Sequence, residues 1–207
     1  MDLYFSPMAC SMATRIAAYE AGAEIKFLKV DTKARPKRVE DGTEFLAINA
    51  MGQVPVLRTD DGELIVENPV ILQYIADRFP AAGLIAADGP ERRKVQSWLS
   101  FVGSELHTGV FIALLNPKAP DGAKAFAREI VVERLAYLDA HLKGREFLAG
   151  RFSVADAYLF VMLTWARHVA LDLEPYPALT AYRDRLQSRP SVARAFGEEF
   201  TLFKAAA

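Results

Sequence analysis

Hydrophobic and polar positions change their period near residue 80. Before it, short apolar runs alternate with helix-length stretches. Leu3-Tyr4-Phe5 reads as a strand, residues 11–20 as a helix stopped by Gly22, and residues 25–30 as a second strand, a βαβ opening. A polar stretch with Pro36 and Gly42 leads to a short helical piece at 45–49. Residues 54–58 and 64–66 then flank Asp60-Asp61-Gly62, a hairpin signal. Val70, Ile71, Tyr74, Ile75 and Phe79 fall near helical spacing, so a helix is expected over 69–79, ended by Pro80 and Gly83. Beyond it, strand signals fade and helical stretches follow at 91–116, 122–142, 154–170 and 179–188, with a short tail segment near 192–196. The chain therefore divides into an α/β domain over 1–80, a turn-rich linker over 81–90 and an all-helical domain over 91–207.

Composition narrows the function classes. With 207 residues and a formal net charge of −1, the chain has room for two small cores and carries no basic footprint for nucleic acid or an anionic membrane surface. Its most apolar window, 157–170, is broken by Arg167 and His168 and is shorter than the roughly 20 residues that span a bilayer, so no membrane span is expected. A single cysteine cannot form an internal disulfide, and the opening residues lack a basic-then-apolar leader. Cytoplasm is the expected compartment. Three histidines, at 107, 141 and 168, lack zinc-like spacing, and phosphate-loop, dinucleotide and serine-hydrolase motifs are missing, so neither a metal nor another cofactor is expected.

Two stretches carry candidate chemistry. Cys10 lies between the first strand and the first helix, where helix N–H groups favour a thiolate nucleophile; the alternative is a small buried hydrophobe. Glu67-Asn68-Pro69 opens a helix after a strand, with Asn68 as N-cap and Pro69 in the first turn. Such a start suits an α-carboxylate on the helix N–H groups and Asn68, with Glu67 taking an ammonium. Ordinary capping beside an incidental acid is the competing reading. Gln53-Val54-Pro55-Val56 adds a proline at a strand entry, an edge on which an extended peptide can pair with Val54.

Taken together, Cys10, Asn49-Ala50-Met51-Gly52-Gln53-Val54-Pro55, Asp60-Asp61-Gly62, Glu67-Asn68, Gln73-Tyr74-Ile75-Ala76-Asp77, Ser104-Glu105-Leu106-His107 and Phe152-Ser153-Val154-Ala155-Asp156 resemble the cytosolic glutathione transferases, most closely the bacterial beta class. The resemblance spans essentially the whole chain. It implies an α/β thioredoxin-like N-terminal domain, an all-α C-terminal helical domain and a homodimer, with glutathione as co-substrate.

Carried to matching positions, it implies that Cys10 and His107 meet the glutathione sulfur, with Ala9 and Cys10 offering backbone groups. Val54, before a cis Pro55, pairs with the cysteinyl backbone. Glu67 and Asn68 hold the γ-glutamyl ammonium and carboxylate, and Gln53 and Lys37 lie toward the two ends of the tripeptide, with Lys33 and Arg35 as substitutes for Lys37. Ser104 and Glu105 approach from a partner subunit. On an α-helix Ser100, Ser104 and His107 share a face, and His107 is suited as a donor or proton carrier. Ser153 and Asp156 read as a capping box with a folding role.

The implied activity is conjugation of glutathione to small hydrophobic electrophiles, in detoxification, in a pocket lined around Leu106, Val110, Phe111, Leu114 and Trp165. The alternatives are thiol–disulfide exchange or peroxidase chemistry through a Cys10 mixed disulfide, and a non-enzymatic carrier of hydrophobic ligands.

Overall fold

Strand β1 (Asp2–Phe5) is covered on both faces, with Leu3, Tyr4 and Phe5 all buried. It pairs in parallel with β2 (Lys26–Asp31) across helix α1 (Met12–Ala21), so the βαβ opening is observed. On its other side β1 runs antiparallel to β4 (Val56–Arg58), which forms the hairpin with β5 (Leu64–Val66). A two-residue strand that the sequence pattern does not signal, β3 (Arg38–Val39), completes a five-stranded sheet in the order β3-β2-β1-β4-β5. Tyr4, Leu28, Val30, Val39, Phe45 and Val56 form the core on one face, while α1 and α2 (Asn68–Arg78) pack together elsewhere in the same unit.

The computed structural model describes residues 1–205 and resolves into two units. Met1–Leu84 forms one together with the chain from Pro190 onward; Ile85–Arg189 forms the other. The sequence division instead assigns everything after 91 to the helical domain. Its short tail segment is in fact a sixteen-residue helix, α8 (Pro190–Ala205), packed on α1. Its buried stripe runs through Val192, Ala195 and Glu199.

The second unit is helical. A continuous helical stretch runs through α3 (Gly89–Phe101), a π-helical segment (Val102–Phe111) and α4 (Ile112–Leu115), followed by α5 (Asp121–Leu142), α6 (Val154–Trp165) and α7 (Pro177–Gln187). Helix α6 is buried at every position except Thr164, which makes it the centre of this unit. The expected capping box is present: Ser153 and Asp156 exchange side-chain and backbone hydrogen bonds. Asp156 also accepts from Leu148 N and the Tyr182 hydroxyl, so a fully buried carboxyl has hydrogen bonds to both oxygens.

By length and composition alone, Gly89–Leu115 is long and apolar enough to cross a membrane. Core helices of globular domains meet the same test. Here Val95, Trp98, Leu99, Val102, Leu106 and Val110 are buried, and the stretch packs against α5 and α6.

Candidate active site

The segment between β1 and α1 is braced from several directions. Ser11 Oγ donates to Ser6 O at 3.2 Å, Ala9 N to Ser6 O at 3.1 Å, and Met12 N to Ala9 O at 3.0 Å. Met8 adopts a left-handed φ of 61°, unusual for a side chain of this size. Its N–H donates to Glu199 Oε2 at 2.7 Å. Glu199 Oε1 in turn accepts from Arg15 Nε at 3.0 Å, and the Arg15 guanidinium lies over the rings of Phe5 and Phe27 at 4.4 and 3.7 Å. A buried ion pair thus ties the last helix to the Cys10 loop. Nothing in the sequence pattern pointed to Glu199 or Arg15, since the bond from Met8 spans 191 positions.

Cys10 is 8% exposed, and its Sγ donates to Val54 O at 3.3 Å. Both readings of this residue hold some truth. The N–H groups of Cys10 and Ser11 do pull its pKa down, as a helix start should. Burial dominates, however, and with Glu199 and Glu67 adding to it the thiol is pushed up to about 12. In the ligand-free protein burial thus outweighs the helix N–H groups and favours the neutral thiol, the form that donates to Val54 O.

Helix α2 meets this loop through Asn68. Its Nδ2 donates to Cys10 O at 3.2 Å and its Oδ1 accepts from Thr14 Oγ1 at 2.9 Å, with Asn68 only 4% exposed. The N-cap position belongs to Glu67 (φ 69°), one residue before the expected cap, and Asn68 is the first helical residue. Because the Asn68 amide is committed to α1, what it can offer an anion is the N–H at the helix start. Glu67 is exposed beside it.

Lys37 Nζ donates to Gly52 O at 2.6 Å, and Asn49 Nδ2 donates to Gln53 O at 2.8 Å, so both side chains hold the loop that delivers Gln53 and Val54. Gly52 (φ 61°) is required there: a Cβ would lie 3.1 Å from Leu46 Cδ2. Lys33 and Arg35 are exposed, and the Arg35 guanidinium folds back onto the carbonyls of Thr32, Lys33 and Ala34. The Val54–Pro55 bond is cis. The first unit therefore gathers Cys10, Val54, Glu67 and Asn68 around one loop, with Ala9 in its turn, and joins Lys37 to the Gln53 loop.

In the second unit, Ser104, Glu105 and His107 lie in the π-helical segment. The winding from Val102 onward is π-helical, not the α-helix on which Ser100, Ser104 and His107 are expected to share a face; the buried positions Val102, Leu106 and Val110 recur every four residues. Gly109 accommodates this winding, because a Cβ there would sit 3.0 Å from Ser104 O. Ser104 Oγ donates to Ser100 O at 2.9 Å, and Glu105 Oε2 accepts from Arg134 at 3.0 Å. The His107 ring stands edge-on to Trp165, with centroids 5.2 Å apart, and its Nδ1 lies 2.6 Å from the hydroxyl of Tyr158. Burial lowers its pKa, so the imidazole is neutral at neutral pH. Tyr158 sits in an apolar run with no polar spacing to single it out.

These features agree with comparisons to known proteins. The family models described as Glutathione S-transferase, N-terminal domain and C-terminal domain match residues 1–77 and 92–185. Glutathione S-transferase GstA of Escherichia coli O157:H7 is 38% identical over 96% of this chain and 98% of its own. The chain belongs to the glutathione S-transferase family. Within it the likeness is to the bacterial beta class. A solved structure titled as a bacterial beta class Sphingomonas chungbukensis glutathione S-transferase is 48% identical with a TM-score of 0.90, covering 96% of this chain and 98% of that one. A sphingomonad glutathione S-transferase complexed with glutathione is 47% identical, with the same TM-score and coverage. As in this family, the transferase has an α/β thioredoxin-like N-terminal domain and an all-helical C-terminal one. Among the described residues no group of three or more His, Cys, Asp or Glu is gathered as a metal site.

Proposed function

We propose that this transferase binds glutathione on its first unit, with the tripeptide sulfur at Cys10, and conjugates it to small hydrophobic electrophiles. The observation that carries the reading is the burial of Cys10 with its Sγ 3.3 Å from the Val54 carbonyl, a setting that favours the neutral thiol. When glutathione binds, that one S–H can turn from Val54 O to a neighbouring thiolate and hold it by hydrogen bonding, the requirement of conjugation. Exchange through a Cys10 mixed disulfide requires the opposite protonation state at this residue.

The rest of the assignment follows the matching positions. Val54 pairs with the cysteinyl backbone, and Ala9 and Cys10 offer backbone groups. Glu67 takes the γ-glutamyl ammonium and the Asn68 N–H its carboxylate, while Gln53 and Lys37 serve the tripeptide ends. His107 acts on the same sulfur. Glutathione in the solved sphingomonad relative supports the ligand. Exposed apolar side chains at Leu64, Val66 and Val70, and separately at Phe126 and Val132, support a homodimer in which Ser104 and Glu105 complete the partner's site. A lone free cysteine supports a cytoplasmic setting.

The test is turnover of an aryl halide with and without glutathione, for the wild type and Cys10→Ser. Conjugation that depends on glutathione and survives in Cys10→Ser, which keeps a donor, is the expected result. Tight binding of hydrophobic dyes with no turnover across a panel of electrophiles would leave a carrier instead. Loss of all glutathione chemistry in Cys10→Ser alone would return the nucleophile reading.

A further inference from the structure

We infer that Tyr158 is a positioning residue which fixes the proton of His107 on Nε2, so that the imidazole meets the glutathione sulfur as a hydrogen-bond donor and not as a base. The inference rests on the function proposed above and gives His107 one of two roles that the sequence left open.

The geometry lies wholly within the second unit. Tyr158 is 2% exposed on α6, the most buried helix of that unit, so its hydroxyl is held in place by packing. The hydroxyl lies 2.6 Å from His107 Nδ1, with the two rings near perpendicular at 86° and their centroids 5.9 Å apart. Trp165 supplies a second edge-on contact, and between them the two aromatic rings restrict rotation of the imidazole. Among the described residues, His107 makes this one hydrogen bond through its ring. Nε2 is thereby left for a ligand, on a side chain that keeps partial exposure.

Chemistry then assigns the proton. A neutral imidazole has one N–H and one lone-pair nitrogen. A phenol O–H is a stronger acid than an imidazole N–H, and the imidazole lone pair is a stronger base than a phenol oxygen. The favoured arrangement is therefore Tyr158 O–H donating to Nδ1, which leaves the proton on Nε2. A ring fixed this way can donate to a thiolate, a charge-assisted bond roughly twice as strong as a neutral one. It cannot accept the thiol proton through Nε2. That proton leaves to solvent, and His107 acts by holding the resulting anion. Protonating Nδ1 would require the Tyr158 hydroxyl to turn from donor to acceptor, which opposes formation of the imidazolium.

Long-range proton–nitrogen NMR of the ¹⁵N-labelled, ligand-free full chain tests the assignment without any substrate. Wild type should show His107 with a protonated Nε2 and a lone-pair Nδ1, and Tyr158→Phe should relax this to a mixture of tautomers and raise the His107 pKa. A proton on Nδ1 in wild type, or an unchanged tautomer in Tyr158→Phe, would overturn the inference.

Kinetics with glutathione and an aryl halide give the second reading. His107→Gln, which places an amide donor near the Nε2 position but supplies no base, should stay within about tenfold of wild type, whereas His107→Ala should lose roughly 100-fold in kcat. Tyr158→Phe should lower kcat roughly fivefold with KM for glutathione unchanged. Equal loss in the Gln and Ala variants would restore the base role. Failure to bind glutathione would sink the function reading, while the ligand-free spectrum would still decide the role of Tyr158.

Discussion

Raising the pH on the ligand-free protein while probing Cys10 with an aromatic disulfide isolates the effect of its burial. With the thiol at about 12 in place of an ordinary 9.0, the thiolate fraction near pH 8 falls from about one in ten to about one in ten thousand, a loss of about a thousandfold. A more basic thiolate is a better nucleophile. With a Brønsted slope of about 0.4–0.5, three pKa units return a factor of about twenty. Protonation wins, and the net rate should be about fiftyfold below that of a free cysteine, before the 8% exposure slows it further. The assay is stopped-flow release of the chromophoric thiol from pH 6 to the alkaline limit of the native state, with mass spectrometry locating the adduct on the single cysteine. The rate should climb about tenfold per pH unit without a plateau. A plateau with a midpoint below 9 would refute the claim that burial outweighs the helix N–H groups, and would make exchange chemistry the better reading.

Glu199 gives a stability signature. Burial raises it from 4.5 to about 7 against the pull of Arg15, so between those pH values the folded state holds a proton that the unfolded chain releases. Stability should therefore be fully favoured below pH 4.5 and lost as pH rises through 7, by an amount on the order of 3 kcal/mol from this group. In urea titrations across that window, Glu199→Gln should flatten the slope, and an unchanged slope would place the titration elsewhere. Gly109→Ala gains up to about 1 kcal/mol in helix propensity but drives a Cβ to 3.0 Å from Ser104 O, an overpacking cost of about 1–3 kcal/mol. A net loss in thermal stability is expected, and a stabilised variant would count against the π-helical winding around His107.

Local chemistry made much of this molecule legible from its sequence. The alternation of β1, α1 and β2, the Asp60-Asp61-Gly62 hairpin and the Ser153–Asp156 capping box depend on neighbours within a few positions, so periodicity and cap residues specify them. The motif set was specific enough to indicate the family, and it placed Cys10, Val54 and Glu67-Asn68 in one working region. The short strand β3 has no signature in the sequence, because two residues carry no readable alternation.

Tertiary structure decided the states and partners of those same residues. Whether Cys10 is a thiolate or a thiol turns on desolvation, which helix position alone does not reveal. The Asn68 side chain, expected as an N-cap or a holder of a carboxylate, is occupied by Thr14 and the Cys10 carbonyl in the fold. Glu199 has no signal of its own in the sequence; the docking of α8 on α1 carries it to Met8. Tyr158 became notable only when packing set its hydroxyl against His107. Propensity acts over a turn of chain, whereas burial and hydrogen-bond partnership are settled among groups far apart in sequence, and it is the second kind of interaction that sets protonation and reactivity.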